Sequence, residues 1–292
     1  MKTILVPTDF SDTANHALKV AAQLSKKHNC KLVLLHMLEI AKHLLPDNMI
    51  ASNDVQPVHS THSNDLPEAL FYMKLAQKRF EEVRELPFME GVEYEEAVQN
   101  HLDFKGVITS ANKFNTDLIV MGSHGTSGLE EIFVGSNTEK IVRHSNIPVL
   151  VIKEEMASNF SLDNVVFASD FTEEAVEPFI NACQLFETLG SKVKLVYVNT
   201  PGDYFSNSTE MRDRVKTFLN ATQKQNLIED VSFVSDYTVE KGVINFANQN
   251  NVDAIAVATH GRTGISHFFS GSISEDIANH AIKPVITFRI NS

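Results

Sequence analysis

Short apolar runs alternate along the chain with longer segments in which apolar residues return every three or four positions. The first pair is a strand around Ile4–Val6 and a helix capped by Ser11, whose apolar residues between Ala14 and Leu24 share one face. Strands that are apolar throughout and joined by helices run parallel and are covered on both faces. The pattern therefore predicts an α/β fold of the doubly wound, Rossmann-like class.

The predicted elements follow the order βαβαβαβαβ twice. In the first half the strands cover residues 4–6, 31–37, 92–98, 118–121 and 148–152, and the later helices cover 67–86, 104–115 and 136–144. In the second half the strands cover 165–169, 193–198, 231–234, 254–258 and 285–289, and the later helices cover 211–225, 243–250 and 272–280. Pro178 lies inside the first helix of the second half and predicts a kink there.

The two halves are copies of one unit. A glycine motif of the first half recurs in the second at a constant offset of 136 residues, whereas Asp9 matches Asp170 at an offset of 161. The first copy therefore holds about 25 extra residues, between about 43 and 66, where polar residues predict a surface loop. We predict two domains, 1–153 and 164–292, joined by a linker over 154–163. Each is expected to hold a five-stranded parallel sheet in the order 3-2-1-4-5.

The charge balance argues against several partners. Lys and Arg number 25 against 37 Asp and Glu, and the net charge of −12 repels nucleic acid and anionic membranes. No apolar run reaches the ~20 residues of a membrane span, and the start at Met1 leads into a strand rather than a signal peptide, so a cytoplasmic location is expected. Cys30 and Cys183 are not at equivalent repeat positions and are expected to be buried free thiols.

The glycine motif lies where a doubly wound sheet binds ligands. Strand order reverses between strands 1 and 4, and ligands bind at the carboxyl ends of such a pair. Asp9 ends strand 1 and Gly122 ends strand 4, and without side chains Gly122 and Gly125 leave the backbone open to a ligand. Gly135 and Ser136 open a helix whose N–H groups favour an anion. A phosphate there and a sugar at Asp9 together predict a nucleotide.

These residues resemble the universal stress protein family. Its motif of Gly, two residues, Gly, nine residues, Gly and Ser or Thr is matched by Gly122, Gly125, Gly135 and Ser136, and Val6-Pro7-Thr8-Asp9 is also typical of it. Both halves resemble the family, so the chain looks like a tandem member. The resemblance implies ATP, with or without Mg²⁺, as the ligand. The residues it implies are Pro7, Thr8 and Asp9 at the ribose and adenine, Met37 along the adenine, and Gly122, His124, Gly125, Gly135, Ser136 and Asn137 at the phosphates.

The second copy departs from the motif at its first glycine, where Ala258 stands. A methyl group against the ligand there would cost about 1–3 kcal/mol, or roughly ten- to hundredfold in affinity. We therefore expect a weaker second site formed by Asp170, His260, Gly261, Gly271 and Ser272. His124 and His260 either approach a phosphate or bridge carbonyls of their own loops, and the sequence leaves both open.

Other interpretations have less support. No G-x-G-x-x-G follows either first strand and no G-x-x-x-x-G-K-[ST] loop occurs, which argues against dehydrogenases and P-loop enzymes. His43, His59 and His62 lie in the insertion without a fixed scaffold, so a metal site there is disfavoured. No nucleophile can be given a base and an orienting group, so no catalytic residue is predicted.

The sequence favours a stress-response binding and signalling module with ATP mainly in the first half. Two alternatives stay open: slow ATP hydrolysis assisted by His124 or Asp9, and binding of an apolar small ligand in the second half near Phe268 and Phe269. In the family the last strand of the domain commonly pairs with another copy, so the resemblance implies an intramolecular pseudo-dimer of the two halves. Association of two chains into a homodimer is a further expectation.

Overall fold

The computed structural model describes residues 1–38, 56–57, 67–100, 104–123, 136–156, 159–202, 205–260, 277 and 280–290. The chain divides into two compact units. The first unit is Met1–Leu129 with Ile152–Phe160, and the second unit is Glu130–Val151 with Ser161–Ser292. The domain boundaries predicted at 153 and 164 stay predictions.

The first unit is built on a mostly parallel sheet. Its described elements are β1 (Thr3–Thr8), α1 (Asp12–His28), β2 (Lys31–Leu38), β3 (Gln56–Pro57), α2 (Pro67–Arg84), β4 (Tyr94–Asn100), α3 (Phe104–Lys113) and β5 (Leu118–Gly122). The strands lie in the order β3-β4-β2-β1-β5. All pairs are parallel except β3 with β4, which is antiparallel. Beyond β5, the carbonyl of Ile152 accepts a hydrogen bond from the Ser123 N–H at 2.9 Å.

The second unit is also a mostly parallel sheet. Its described elements are α4 (Ser136–His144), β6 (Val149–Ile152, whose last residue belongs to the first unit), β7 (Asn164–Ala168), α5 (Val176–Leu189), β8 (Lys192–Asn199), α6 (Ser208–Ala221), β9 (Val231–Ser235), α7 (Val239–Gln249), β10 (Ala254–His260) and β11 (Val285–Ile290). The strands lie in the order β6-β11-β10-β7-β8-β9. β6 runs antiparallel to β11, and the other pairs are parallel.

The predicted fold class is confirmed. Numbered within its own repeat, the second copy has strand order 3-2-1-4-5 from β9 through β8, β7 and β10 to β11, and the first unit follows the same order from β4 through β2 and β1 to β5. One strand was not predicted. Gln56 and Pro57 form β3 inside the segment interpreted as a surface loop, where they pair with Val98 and Ala97.

The first helices of the two repeats begin differently. α1 begins directly after Ser11, whose Oγ accepts the Ala14 N–H at 3.2 Å, and it ends at Asn29 in the left-handed conformation. α5 is preceded by a 3₁₀ turn over Glu173–Ala175 and begins only at Val176. Pro178 therefore lies in the first turn of α5, where its missing N–H needs no helical partner. The kink predicted at Pro178 is wrong for this reason.

An aspartate at the start of the fourth strand of each repeat fixes the start of the first strand. In the first unit the Asp117 carboxylate accepts the Thr3 N–H at 3.0 Å, and the Asp117 N–H donates to the Thr3 carbonyl at 2.9 Å. In the second unit Asp253 makes the same two bonds to Asn164, both at 2.7 Å. The two pairs are equivalent in the repeats and lie at the amino end of each sheet, opposite the edge where ligands bind in this fold.

Both cysteines are free and buried, as predicted. Burial raises the pKa of the Cys183 thiol to about 11, so it stays protonated at neutral pH. Among the described residues, no helix combines the length and the apolar character that a membrane crossing needs.

Candidate functional site

The strand register of the first unit places Thr8 level with Gly122. β1 pairs with β5 through Ile4 opposite Leu118, and four residues further along each strand come Thr8 and Gly122. Strand order reverses between β1 and β5, with β2 on the other side of β1. Asp9, the next residue after β1, therefore lies at the carboxyl edge where doubly wound sheets form a crevice.

A tight turn fixes Asp9. The Thr8 Oγ1 accepts the Phe10 N–H at 3.0 Å, and the Asp9 Oδ1 accepts the Ser11 N–H at 3.0 Å. Phe10 adopts the left-handed conformation with φ of 63°, which costs energy for a residue with a bulky side chain and is found mainly where the surroundings enforce it. The side chain of Asp9 is exposed. The turn thus holds one carboxylate oxygen in place while the group remains accessible from solvent.

His36 supports this turn from β2. Its Nδ1 lies 2.8 Å from the Thr8 carbonyl oxygen and therefore donates to it, and its ring centroid is 4.6 Å from that of Phe10. Phe80 of α2 packs edge-on against Phe10 at 5.1 Å. Burial lowers the pKa of His36, against smaller opposing effects of the Thr8 carbonyl and the Asp9 carboxylate. His36 was not among the predicted site residues, and its place just before Met37 is the sequence signal that could have indicated it.

The structure brings together five of the predicted site residues at the carboxyl edge of β2, β1 and β5. Four of them belong to the strands and one follows β1; these residues are Pro7, Thr8, Asp9, Met37 and Gly122. Pro7 and Met37 are half-buried there. Ser136 begins α4 and Asn137 follows it with an exposed side chain, both within the second unit. His124, Gly125 and Gly135 lie outside the described residues.

Gly122 has a packing role that the sequence did not indicate. A β-carbon placed on Gly122 would lie 2.8 Å from both the carbonyl oxygen and the Cγ2 of Thr13, in the first turn of α1. Real β-carbons do not approach a backbone oxygen so closely, so the glycine is needed for α1 to pack against β5. The expectation that Gly122 serves chiefly to expose backbone to a ligand is thus incomplete.

The second repeat has an equivalent turn with a different environment. Asp170 is only 6% exposed, and its Oδ1 accepts from the N–H and the hydroxyl of Thr172 at 3.1 and 2.9 Å. Phe171, with φ of 56°, stacks on Tyr197 at 5.8 Å, where the first repeat has Phe10 and His36. Ser169 and Asp170 line a small hollow with valines of β8 and α7. The second carboxylate is therefore more enclosed than Asp9.

Ala258 occupies the position of Gly122 and is buried at the carboxyl end of β10. The residue equivalent to Thr13 is Glu174, which lies in the 3₁₀ turn before α5 rather than in the helix itself. The segment that precedes the first helix therefore differs between the repeats at the residue equivalent to Thr13. His260 ends β10. Gly261, Gly271 and Ser272 lie outside the described residues.

Within the described ranges, no group of three or more acidic, histidine or cysteine side chains is arranged to hold a metal ion. The three insertion histidines, His43, His59 and His62, lie outside those ranges. The expectation that they form no metal site stays a prediction.

The fold and the edge at β2, β1 and β5 define a doubly wound α/β protein with a candidate ligand site at its strand-order reversal. The sequence profile of the universal stress protein family matches the chain twice, over residues 1–153 and 161–289. The chain therefore belongs to the universal stress protein family, as a tandem member.

Similar proteins agree with this assignment. Universal stress protein MJ0577 of Methanocaldococcus jannaschii is 30% identical over 157 residues, which cover 53% of this chain and 96% of that protein. Universal stress protein YxiE of Bacillus subtilis is 27% identical over 151 residues, covering 51% of this chain and 97% of YxiE. Both span about one of the two repeats.

A solved structure resembles the whole chain. The crystal structure of a universal stress protein from Archaeoglobus fulgidus superposes with a TM-score of 0.66 at 20% identity, covering 99% of this chain and 98% of that one. A crystal structure from Pseudomonas aeruginosa, described as a putative universal stress protein, gives a TM-score of 0.60 at 16% identity, with coverage of 99% and 93%. At these identities the likeness supports the fold alone.

Proposed function

We propose that this chain binds an adenine nucleotide, ATP with or without Mg²⁺, in its first repeat and acts as a cytoplasmic binding and signalling module in a stress response. The observation that carries the proposal is the position of Asp9 and Gly122 at the carboxyl ends of the neighbouring strands β1 and β5, where strand order reverses. Ligands of doubly wound sheets bind at this point.

Asp9 would hold the ribose. Its carboxylate is exposed, and the Ser11 N–H fixes one of its oxygens, so the group is oriented before any ligand arrives. Ribose hydroxyls are donors that a carboxylate accepts well, and preorganisation lowers the entropic cost of binding. Pro7, Thr8 and Met37 lie at the same edge and would contact the base.

The phosphates would bind to the motif between Gly122 and Asn137. Support for this part comes from the spacing of Gly122, Gly125, Gly135 and Ser136 in the sequence and from the start of α4 at Ser136. The N-terminus of a helix offers N–H groups and a favourable dipole to an anion. His124 stays a candidate contact on the same sequence grounds.

We propose that the second repeat binds nucleotide weakly. Asp170 is only 6% exposed, whereas Asp9 is exposed, so the second carboxylate is less accessible to a ribose. Ala258 adds a methyl group at the first motif position. A site formed by Asp170, His260, Gly261, Gly271 and Ser272 is therefore expected to be the weaker one. The last strands of the two halves, β6 and β11, pair antiparallel. A pseudo-dimer of the two halves and a homodimer of two chains stay predictions.

The test compares Asp9→Asn with Asp170→Asn in the full chain by calorimetric titration with Mg·ATP. Asparagine keeps an oxygen for the N–H two residues later, so each variant preserves its turn while losing the charge and one acceptor oxygen. We expect about one site per wild-type chain, an affinity loss of about tenfold or more for Asp9→Asn, and a change of less than about twofold for Asp170→Asn. Two equal sites, or no binding at millimolar Mg·ATP, would refute the proposal.

Phosphate release from bound ATP is measured in the same samples. If the chain only binds ATP, phosphate should be released no faster than in a protein-free control. Release that Asp9→Asn abolishes while nucleotide stays bound would favour the slow hydrolase instead.

A further inference from the structure

The outer strands of the two sheets are covered unequally. β4 in the first unit and β9 in the second are the third strands of their repeats. Their pairing with the equivalent strands β2 and β8 shows that Ala97 and Val98 of β4 correspond to Ser232 and Phe233 of β9. In the first unit Val98 and Ala97 pair with β3, which comes from the insertion. The second repeat lacks that insertion. In the described part of the chain β9 pairs with β8 and with no other strand.

The missing strand leaves apolar side chains in solvent. Val98 is 6% exposed, whereas Phe233 at the equivalent position of β9 is 39% exposed. Ile228, in the 3₁₀ helix before β9, and Tyr237, just after β9, are exposed as well. We call Ile228, Phe233 and Tyr237 together with the outer side of β9 the β9 edge. Exposed apolar side chains at an open sheet edge mark a pairing surface.

Backbone groups of β9 also face outward. The Asp236 N–H donates to the Asn199 carbonyl of β8, so by the alternation of a parallel ladder Val234 and Ser232 face β8 too. The N–H and carbonyl groups of Val231, Phe233 and Ser235 therefore point away from the sheet. Such a row of donors and acceptors is a template for one more strand.

The charges around β9 disfavour a second copy of this chain as that strand. Glu229 and Asp230 precede β9 and Asp236 follows it. An antiparallel pair of two β9 strands centred on Phe233 would place Asp230 opposite Asp236 of the other copy at both ends. Like charges directly opposite each other in a ladder are destabilising. The same acidic ends attract a strand with basic residues at its own ends.

We propose that the β9 edge binds an extended segment of another protein as an added antiparallel strand. The segment carries an apolar residue opposite Phe233 and Lys or Arg residues opposite Asp230 and Asp236. β3 is the precedent within this molecule, because it covers the equivalent positions of β4 in antiparallel orientation. Main-chain hydrogen bonds would provide affinity, and the apolar and basic side chains would provide selectivity.

The test uses a fluorescent peptide, Arg-Val-Thr-Val-Thr-Val-Arg, whose central Val lies opposite Phe233 when the two Arg residues lie opposite Asp230 and Asp236. The peptide is titrated with the full chain and followed by anisotropy. We expect saturable binding, weakened about tenfold or more by Phe233→Ser and by Ser235→Pro, which removes an outward N–H without touching the ladder to β8. A peptide with Glu in place of both Arg residues should bind at least about tenfold more weakly at low salt. Ile282→Ser, which changes an exposed apolar side chain elsewhere in the unit, is the matched control and should leave binding unchanged.

Hydrogen exchange locates the peptide, since residues 231–235 should gain protection when it binds. If Ser235→Pro lowers the melting temperature of the protein, the comparison of peptide affinity is made with Phe233→Ser. The proposal is overturned if the peptide does not bind, if the Arg and Glu peptides bind equally, or if Ile282→Ser weakens binding as much as Phe233→Ser. Concentration-dependent dimers in sedimentation velocity that Phe233→Ser abolishes would instead identify a second copy as the occupant.

Discussion

Gly122 and Thr13 are in such close contact that a β-carbon on the glycine would lie 2.8 Å from the Thr13 carbonyl oxygen. The first turn of α1 therefore packs directly on the end of β5, beside the turn that holds Asp9. The first glycine of the glycine motif thus also fixes the position of the helix whose N-terminal cap, Ser11, lies two residues after Asp9. Helix packing and the proposed nucleotide binding therefore involve the same residue in this unit.

Replacing Gly122 by Ala should destabilise the first unit by about 1–3 kcal/mol, since the backbone of Thr13 must move to make room. The reverse change in the second repeat, Ala258→Gly, should cost about 1 kcal/mol or less, because it removes one methyl group and adds backbone freedom. Urea unfolding of both variants checks this difference. Equal destabilisation by the two changes would contradict the assigned role of Gly122.

A charged pair ties α2 to β4 and should matter more than a surface ion pair. Nε and Nη2 of Arg84 donate to the two oxygens of Glu96 at 2.7 and 2.6 Å, and the Glu96 side chain is 6% exposed. Arg84→Met leaves a buried carboxylate without its partner and should cost about 2–4 kcal/mol. Arg84→Met combined with Glu96→Gln should cost clearly less than the sum of the two single changes. Additive effects in this double-mutant cycle would show that the pair is not coupled.

Lys153 should make stability depend on pH in the alkaline range. Burial lowers the pKa of its ammonium group to about 8 from 10.5, against a smaller opposing effect of Glu154. Between these two values the unfolded chain holds a proton that the folded chain has lost, so the contribution of Lys153 to stability rises with pH. Lys153→Met should therefore stabilise the protein at pH 7, by about 1 kcal/mol after allowance for partial exposure, and the gain should shrink by pH 10.5. Thermal melts compare it with Lys2→Met, an exposed control expected to show no such trend.

His36 should make the stability of the protein depend on pH in the acidic range. Because burial lowers the pKa of His36 in the folded state, the unfolded chain takes up a proton first as pH falls through about 6.5, and stability is lost below that value. His36→Phe keeps a ring against Phe10 and removes the donor to Thr8, which should cost about 1 kcal/mol at pH 7.5. The cost should become smaller at pH 5.5. A difference between variant and wild type that does not change with pH would argue against a buried neutral imidazole.

The repeating pattern made the fold readable from the sequence. Apolar runs such as Leu32–Leu35 are buried in continuous parallel strands, and their alternation with helices leaves few arrangements. Helix starts were harder to place. α6 begins at Ser208 rather than near Met211 because Asn207 forms a capping box with Glu210, and α7 begins at Val239 because Thr238 caps it. Caps depend on single polar residues, which an apolar period does not reveal.

β3 could not have been predicted, since a two-residue strand has no periodicity and is stabilised by its partner. The candidate site was predicted in part for a similar reason. Asp9 and Gly122 could be predicted, because the glycine motif and the strand order place them at the ends of two neighbouring strands. The support that His36 gives to Thr8 and the contact of Gly122 with Thr13 arise from neighbours far apart in the chain, and no local pattern encodes them.

The hydrogen bonds of Asp117 to Thr3 and of Asp253 to Asn164 should make each repeat tolerant of changes in its loops. A one-residue slip of β1 or β7 would turn its core side chains to the opposite face of the sheet. Asp117 and Asp253 oppose that slip, because each accepts a hydrogen bond from the N–H of the first residue of its strand. Because these bonds fix the strand register at the amino end of each sheet, loops at the carboxyl end can change in length or sequence without altering that register. Loops at the carboxyl edge of the sheet are therefore suitable positions for grafting a foreign loop, provided that both aspartates are kept.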